Sequence, residues 1–148
     1  MTEPVPTPKS GIRWSVWIVL LAIVCVIVAV ALSSYGDYRQ RAQAAEAIAL
    51  LAGAKTPLAE YFETHKKWPA KLEQVTDELS GKFTRSVAIS KGADGTGEIE
   101  LTAALRSEGV DRRVAGTTIL LVSADGGKTW ACRTGTILAK NVSAGCRN

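Results

Sequence analysis

Few side chains in this sequence of 148 residues have the types and spacing needed for chemistry, and the clearest are the cysteines. Cys132 and Cys146 lie 14 positions apart near the C-terminus, which suits a disulfide if this part of the chain reaches an oxidising compartment. Such a bridge would close a loop of about 15 residues and stabilise the fold by roughly 3 kcal/mol. The alternative is two reduced cysteines in a cytosolic domain. Cys25 lies instead in an apolar run, where a thiol behaves as a small hydrophobic group.

Enzymatic chemistry finds little support in the other polar residues. The single histidine, His65, stands beside two lysines with no second imidazole or paired acid, so a solvated or dipole-compensating role is expected. The two C-terminal cysteines have no histidines at zinc spacing. The glycine-rich segment 91–97 follows a strand-like pattern and opens no helix, which favours a hairpin turn over a phosphate cradle. We therefore expect no enzyme and no cofactor or metal.

Hydrophobic residues are concentrated near the N-terminus. The run from Trp14 to Leu32 contains 19 residues without a charge, about the number that crosses a hydrocarbon layer as a helix. The whole chain is 47% hydrophobic and 22% charged, with a net charge of +4. That charge is too small and too scattered to predict nucleic-acid binding. The sequence therefore predicts one membrane-spanning segment followed by one small polar domain.

The pattern that follows the apolar run predicts a continuous helix. The helix is expected from about Trp14 to Lys66, and Pro57, which lacks a backbone N–H, is expected to bend or restart it. Two i to i+4 pairs, Asp37 with Arg41 and Glu63 with Lys67, should support it. The stripe at steps of three and four that is expected to pack closely contains Tyr35, Tyr38, Ala42, Ala45, Ala49 and Ala52.

The second half of the chain changes to strand periodicity. Residues 86–90 and 98–102 alternate in polarity around a turn-rich segment, which predicts a hairpin. Residues 117–123 are a buried-strand candidate, and 124–127 form a turn leading into a strand at 129–132. Short turns between strands indicate an antiparallel sheet. The last segment, 133–148, is expected to be a loop held by the suspected disulfide.

Taken together, these blocks resemble a type IVa pilin over nearly the whole chain. The resemblance rests on the order and spacing of a short leader ending in glycine, an uncharged helix, a helical continuation that begins at Tyr35, and paired C-terminal cysteines. The residues that carry it are Lys9–Gly11, Tyr35–Ala47, Ala59–Phe62, Lys67–Pro69, Trp130–Cys132 and Cys146–Asn148.

The resemblance implies an α+β fold, in which a long protruding N-terminal helix packs on a four-stranded antiparallel sheet with a C-terminal disulfide loop. It implies a leader at 1–11, a transmembrane segment at 12–34 and a head domain at 35–148. A prepilin peptidase would cut after Gly11 and leave Ile12 as the new, methylated N-terminus. The implied partners are other pilin subunits and the type IV pilus assembly machinery. The implied location is the bacterial inner membrane with the head in the periplasm, or the pilus surface after assembly.

Four positions depart from the family pattern: Ile12 where Phe or Met is usual, the charged Arg13 beside it, Ser33 in place of a proline, and above all Val16. The family has a glutamate five residues after the cleavage glycine, where this chain has Val16. Three hypotheses follow: a pilus subunit that is cleaved at Gly11, an unprocessed inner-membrane protein that modulates pilin assembly, and an exported protein. The last rests on Ala29-Val30-Ala31, which fits a signal-peptidase site with cleavage after Ala31.

Overall fold

A computed structural model of the chain describes residues 11–147, without the side chains of residues 11, 12 and 33. The predicted leader at residues 1–10 lies outside the described residues. The chain divides into two units between Gly36 and Asp37. Helix α1 (Gly11–Gly53) contributes residues to both units, whereas the remaining elements lie in the second.

The predicted helix is interrupted, but not at the proline. Helix α1 ends at Gly53, and α2 (Lys55–His65) begins two residues later. Pro57 lies in the first turn of α2, where helix N–H groups have no intrahelical acceptor, so its missing N–H costs nothing. The expected restart of the helix is therefore confirmed, but it lies at Lys55, two residues before Pro57. Helix α2 ends as predicted near its lysines: Lys66 adopts a left-handed conformation (φ 56°), and its N–H bonds to Phe62 O at 2.8 Å.

The second unit contains the four-stranded antiparallel sheet that the sequence predicts. Its strands are β1 (Thr84–Lys91), β2 (Ile99–Leu105), β3 (Thr118–Ser123) and β4 (Ala131–Thr134), and they lie in the order β1-β2-β3-β4. Each strand pairs with its neighbour in the sequence. The β1 edge is partly covered by the preceding loop, because the Val87 N–H bonds to Leu79 O at 2.7 Å.

The buried face of the helix differs from the predicted stripe. Tyr35, Tyr38 and the four alanines expected to pack are exposed, so that prediction was wrong. The residues of α1, of α2 and of the break between them that the second unit buries are Gln40, Gln43, Ala44, Ala47, Leu51, Ala54 and Leu58. Alanines occur on more than one face of this stretch, and the buried face includes two glutamines. The spacing of apolar residues therefore does not identify the buried face. The fold is nevertheless the α+β fold of the prediction.

The two helical ion pairs predicted from local spacing are replaced by long-range ones. Asp37 pairs with Arg113 at 3.1 Å rather than with Arg41. Lys67 pairs with Asp94 at 3.5 Å rather than with Glu63, because Lys67 lies beyond the end of α2. Both observed pairs are well exposed and are worth at most about 1 kcal/mol each.

Candidate functional site

The apolar segment of α1 exposes its side chains. Among the described residues, one helix is long and apolar enough to cross a membrane by length and composition, and none of its most apolar 18-residue window is buried. The large hydrophobic side chains from Trp14 to Leu32 are close to half exposed or more. A helix that is apolar on every side requires an apolar environment. This unit therefore needs lipid or other apolar helices around it.

The residues predicted to take part in processing lie at the start of the described chain. Gly11 and Ile12 are the first two described residues of α1. Val16 follows in the next turn with 51% of its surface exposed, so the position at which the resemblance implies a glutamate carries an uncharged side chain on the helix surface.

The C-terminal cysteines form the predicted disulfide. Cys132 in β4 is bonded to Cys146 in a short 3₁₀ turn, with the two Cα atoms 4.5 Å apart. The segment that the bridge closes is not a loose loop. Its side chains Ile137 and Val142 join the hydrophobic core, and Cys146 is 2% exposed. The disulfide thus holds the C-terminal segment against the sheet.

A carboxylate on α1 holds the beginning of the sheet. Glu46 Oε1 accepts hydrogen bonds from the backbone N–H groups of Phe83 at 2.8 Å and Thr84 at 2.9 Å. Burial raises the pKa of Glu46, but the backbone hydrogen bonds from Phe83 and Thr84 outweigh it, so the pKa is lowered overall. Gly81 leaves room for this contact, because a Cβ at that position would collide with the Glu46 carboxylate.

A second polar side chain of α1 holds the loop between β2 and β3. Gln43 is 3% exposed, and its Oε1 accepts a hydrogen bond from the Asp111 backbone N–H at 2.9 Å. Neither Gln43 nor Glu46 was found by sequence reasoning, because the partners are 68 and 37 residues away in the chain. The only available signal was the placement of both side chains on one helical face.

The turn between β3 and β4 is organised by Asp125. Its carboxylate accepts hydrogen bonds from the Thr129 hydroxyl and backbone N–H and from the Ser123 hydroxyl. These hydrogen bonds lower the pKa of Asp125 to about 2, and the two from Thr129 have the largest effect. Gly126 and Gly127 follow with positive φ angles of 74° and 87°, which favour glycine. The result is a fixed turn into the strand that carries Cys132.

Within residues 11–147, no group of three His, Cys, Asp or Glu side chains is placed to hold a metal ion. A long apolar helix, a four-stranded antiparallel sheet joined to the later part of that helix by part-buried polar contacts, and a disulfide near the C-terminus together fit the α+β fold of pilins. The family model described as Pilin (bacterial filament) matches residues 40–147. The chain belongs to this pilin family, whose members are structural subunits.

Similar proteins are named as fimbrial proteins and as type IV major pilins. Fimbrial protein EcpC of Eikenella corrodens is 34% identical over 135 residues, which cover 88% of this chain and 86% of that protein. Type IV major pilin protein PilE1 of Neisseria gonorrhoeae is 32% identical over 133 residues, or 85% of this chain and 70% of that one. A fimbrial protein of Neisseria meningitidis serogroup A shares 32% identity over 85% of this chain and 74% of its own length. The chain is thus a type IV pilin-like subunit.

Proposed function

We propose that this chain is an inner-membrane pilin subunit that is cleaved after Gly11 and enters a type IV pilus with other pilin subunits, through the pilus assembly machinery. The leader, the membrane segment and the head would correspond to residues 1–11, 12–34 and 35–148. The pilus would serve adhesion, twitching motility or DNA uptake. The exposed apolar surface of α1 between Trp14 and Leu32 is the observation that carries the proposal, since such a surface suits lipid before assembly and neighbouring helices after it.

The disulfide supports the location proposed for the head. A bond between Cys132 and Cys146 persists in an oxidising compartment such as the periplasm or the cell surface. Charges flanking the membrane segment say little about orientation, because two basic residues precede it (Lys9 and Arg13) and two follow it (Arg39 and Arg41). The orientation with the head outside therefore rests on the disulfide and on the family.

Val16 favours a second candidate function. A carboxylate within a membrane is costly unless it is paired, and the resemblance implies that pilins pair theirs with the amine of a neighbouring subunit. Val16 offers no such pair, so this chain could instead stay unprocessed in the inner membrane and modulate the assembly of other pilins.

The identity of the N-terminal residue separates the hypotheses. The chain purified from its native host is analysed by N-terminal sequencing and by intact mass. A start at Ile12 supports the cleaved subunit, and an intact Met1 start supports the unprocessed modulator. A start at Leu32 means cleavage after Ala31, as in an exported protein, and contradicts both pilin assignments.

A further inference from the structure

We propose that two aromatic pairs fix the depth of the unassembled subunit in a lipid bilayer, Trp14 and Trp17 at one interface and Tyr35 and Tyr38 at the other, with Cys25 at the bilayer centre. This inference rests on the membrane location proposed above. It adds which residues meet the headgroups and where along α1 the bilayer is centred.

The four aromatic side chains are available to headgroups. Trp14 and Trp17 are 77% and 71% exposed, and Tyr35 and Tyr38 are 61% and 71% exposed. Indole and phenol rings combine an apolar body with a polar N–H or O–H group, so they are favoured at the boundary between hydrocarbon and water. Within residues 14–38, Trp and Tyr occur at these four positions alone, and all lie at the two ends of the apolar run.

The spacing of the pairs matches the thickness of a bilayer. Trp14 and Tyr35 are 21 residues apart on one helix, which corresponds to about 32 Å at 1.5 Å per residue. The hydrocarbon layer is about 30 Å thick. The nearest charged residues, Arg13 and Asp37, lie at the two ends of the same interval. Charges and aromatic rings therefore mark the same two boundaries.

Lipid, rather than another apolar helix, is the occupant that explains this arrangement. Contact with neighbouring helices would require apolar side chains along α1, but it would not require amphipathic rings separated by one bilayer thickness. The midpoint between the two pairs falls within about one residue of Cys25, whose thiol is reduced and exposed. Because Cys132 and Cys146 are joined, Cys25 is the natural attachment site for a single probe.

The test measures depth in vesicles. The full chain is reconstituted into phosphatidylcholine and phosphatidylglycerol vesicles with a nitroxide on Cys25, and collisions with oxygen and with a water-soluble nickel chelate are compared. Labels at Val19→Cys and Ala31→Cys, each in a Cys25→Ser background, provide reference depths. We expect the Cys25 label to be deepest and the other two to be shallower by about 9 Å, because each lies six residues away.

The anchoring role is tested by the double variant Trp14→Ala/Trp17→Ala with the label on Cys25. Without these anchors the helix can shift along the membrane normal. A shift in either direction moves a central label away from the midplane, so we expect the Cys25 label to be shallower in this variant. The matched control, Val19→Ala/Ile23→Ala, removes apolar surface between the aromatic pairs and should leave the depth unchanged. Equal depths in the two double variants would overturn the anchoring role.

The remaining outcomes separate this inference from the proposed function. If the labels are shielded from the nickel chelate but position 19 or 31 is deepest, the aromatic register is wrong and the membrane location stands. If all three labels meet the nickel chelate freely, the membrane location itself fails. Spin–spin broadening with reduced collisions for both reagents would show that copies of α1, not lipid, surround this segment, and would overturn the inference.

Discussion

Glu46 on α1 accepts a hydrogen bond from the backbone N–H of Thr84, the first residue of β1, at 2.9 Å. The same oxygen accepts the N–H of Phe83, so one carboxylate connects the helix to the point where the sheet begins. Hydrogen bonds to an ionised group are stronger than those between neutral groups. The contact joins the two parts of the head that bury the hydrophobic core.

Removal of this carboxylate should destabilise the head. We expect Glu46→Ala to lower the free energy of unfolding by about 2 kcal/mol, because two backbone N–H groups lose their acceptor. Chemical denaturation of the full chain in detergent, followed by near-ultraviolet circular dichroism, measures the change. Glu60→Ala, at an exposed position of α2, is the matched control and should change stability by less than about 0.5 kcal/mol. Similar losses in both variants would contradict the role of Glu46.

Stability should fall in acid through two carboxylates. The pKa values of Glu46 and Asp125 are lowered in the folded chain, that of Asp125 to about 2. Each carboxylate therefore contributes stability above its unfolded pKa of about 4, and the contribution is lost as the pH falls through the folded value. Unfolding measured from pH 6 to pH 2 should show a smaller decline for Glu46→Gln than for the unchanged chain. Parallel curves would contradict this linkage.

Gly81 should be intolerant of a side chain. A Cβ at this position would collide with the Glu46 carboxylate, so Gly81→Ala should displace that group and destabilise the head by roughly 1 kcal/mol or more. Gly53→Ala is the control, since a Cβ there meets no atom within 4 Å and alanine favours the end of α1. Thermal unfolding of the two variants should therefore shift in opposite directions or differ clearly in size.

The disulfide should be a major contributor to the stability of the head. Cys132→Ser/Cys146→Ser is expected to cost about 3 kcal/mol, because the unfolded chain regains the freedom that a closed loop of this length removes. Cys25→Ser provides the control and should leave unfolding unchanged. In protein extracted from the native host and denatured without a reductant, so that Cys25 is no longer shielded by lipid, maleimide should modify Cys25 alone. Labelling of all three thiols would contradict both the bridge and the outside location of the head.

Val16→Glu tests the function proposed for the N-terminal region. If the chain is a pilus subunit that lacks one favourable pair, the substitution should raise its amount in sheared pili. Val19→Glu places the same charge elsewhere on the apolar surface and should lower that amount, because the carboxylate has no partner there. Unchanged pilus content for Val16→Glu would argue that this chain is not a filament subunit.

Much of the fold could be predicted because its signals are local. The length of the run without charged residues identifies the segment predicted to span the membrane. Alternating polar and apolar residues between turn-forming segments identify the strands. The disulfide followed from the position of Cys132 and Cys146 beyond a membrane segment. The restart of the helix could be placed only to within two residues, at Pro57 rather than at Lys55, because a proline is tolerated at more than one position of a helix's first turn.

The sequence alone determined that one segment needs an apolar environment and that a sheet follows it, since both depend on neighbouring residues. Only the tertiary structure decided which face of α1 is buried, because alanines occupy more than one face and the buried one includes Gln43. It also decided the partners of Asp37 and Glu46, which lie 76 and 37 residues away. Polar contacts between residues so far apart in the chain depend on how the chain folds back on itself. The spacing of neighbouring residues in the sequence does not determine them.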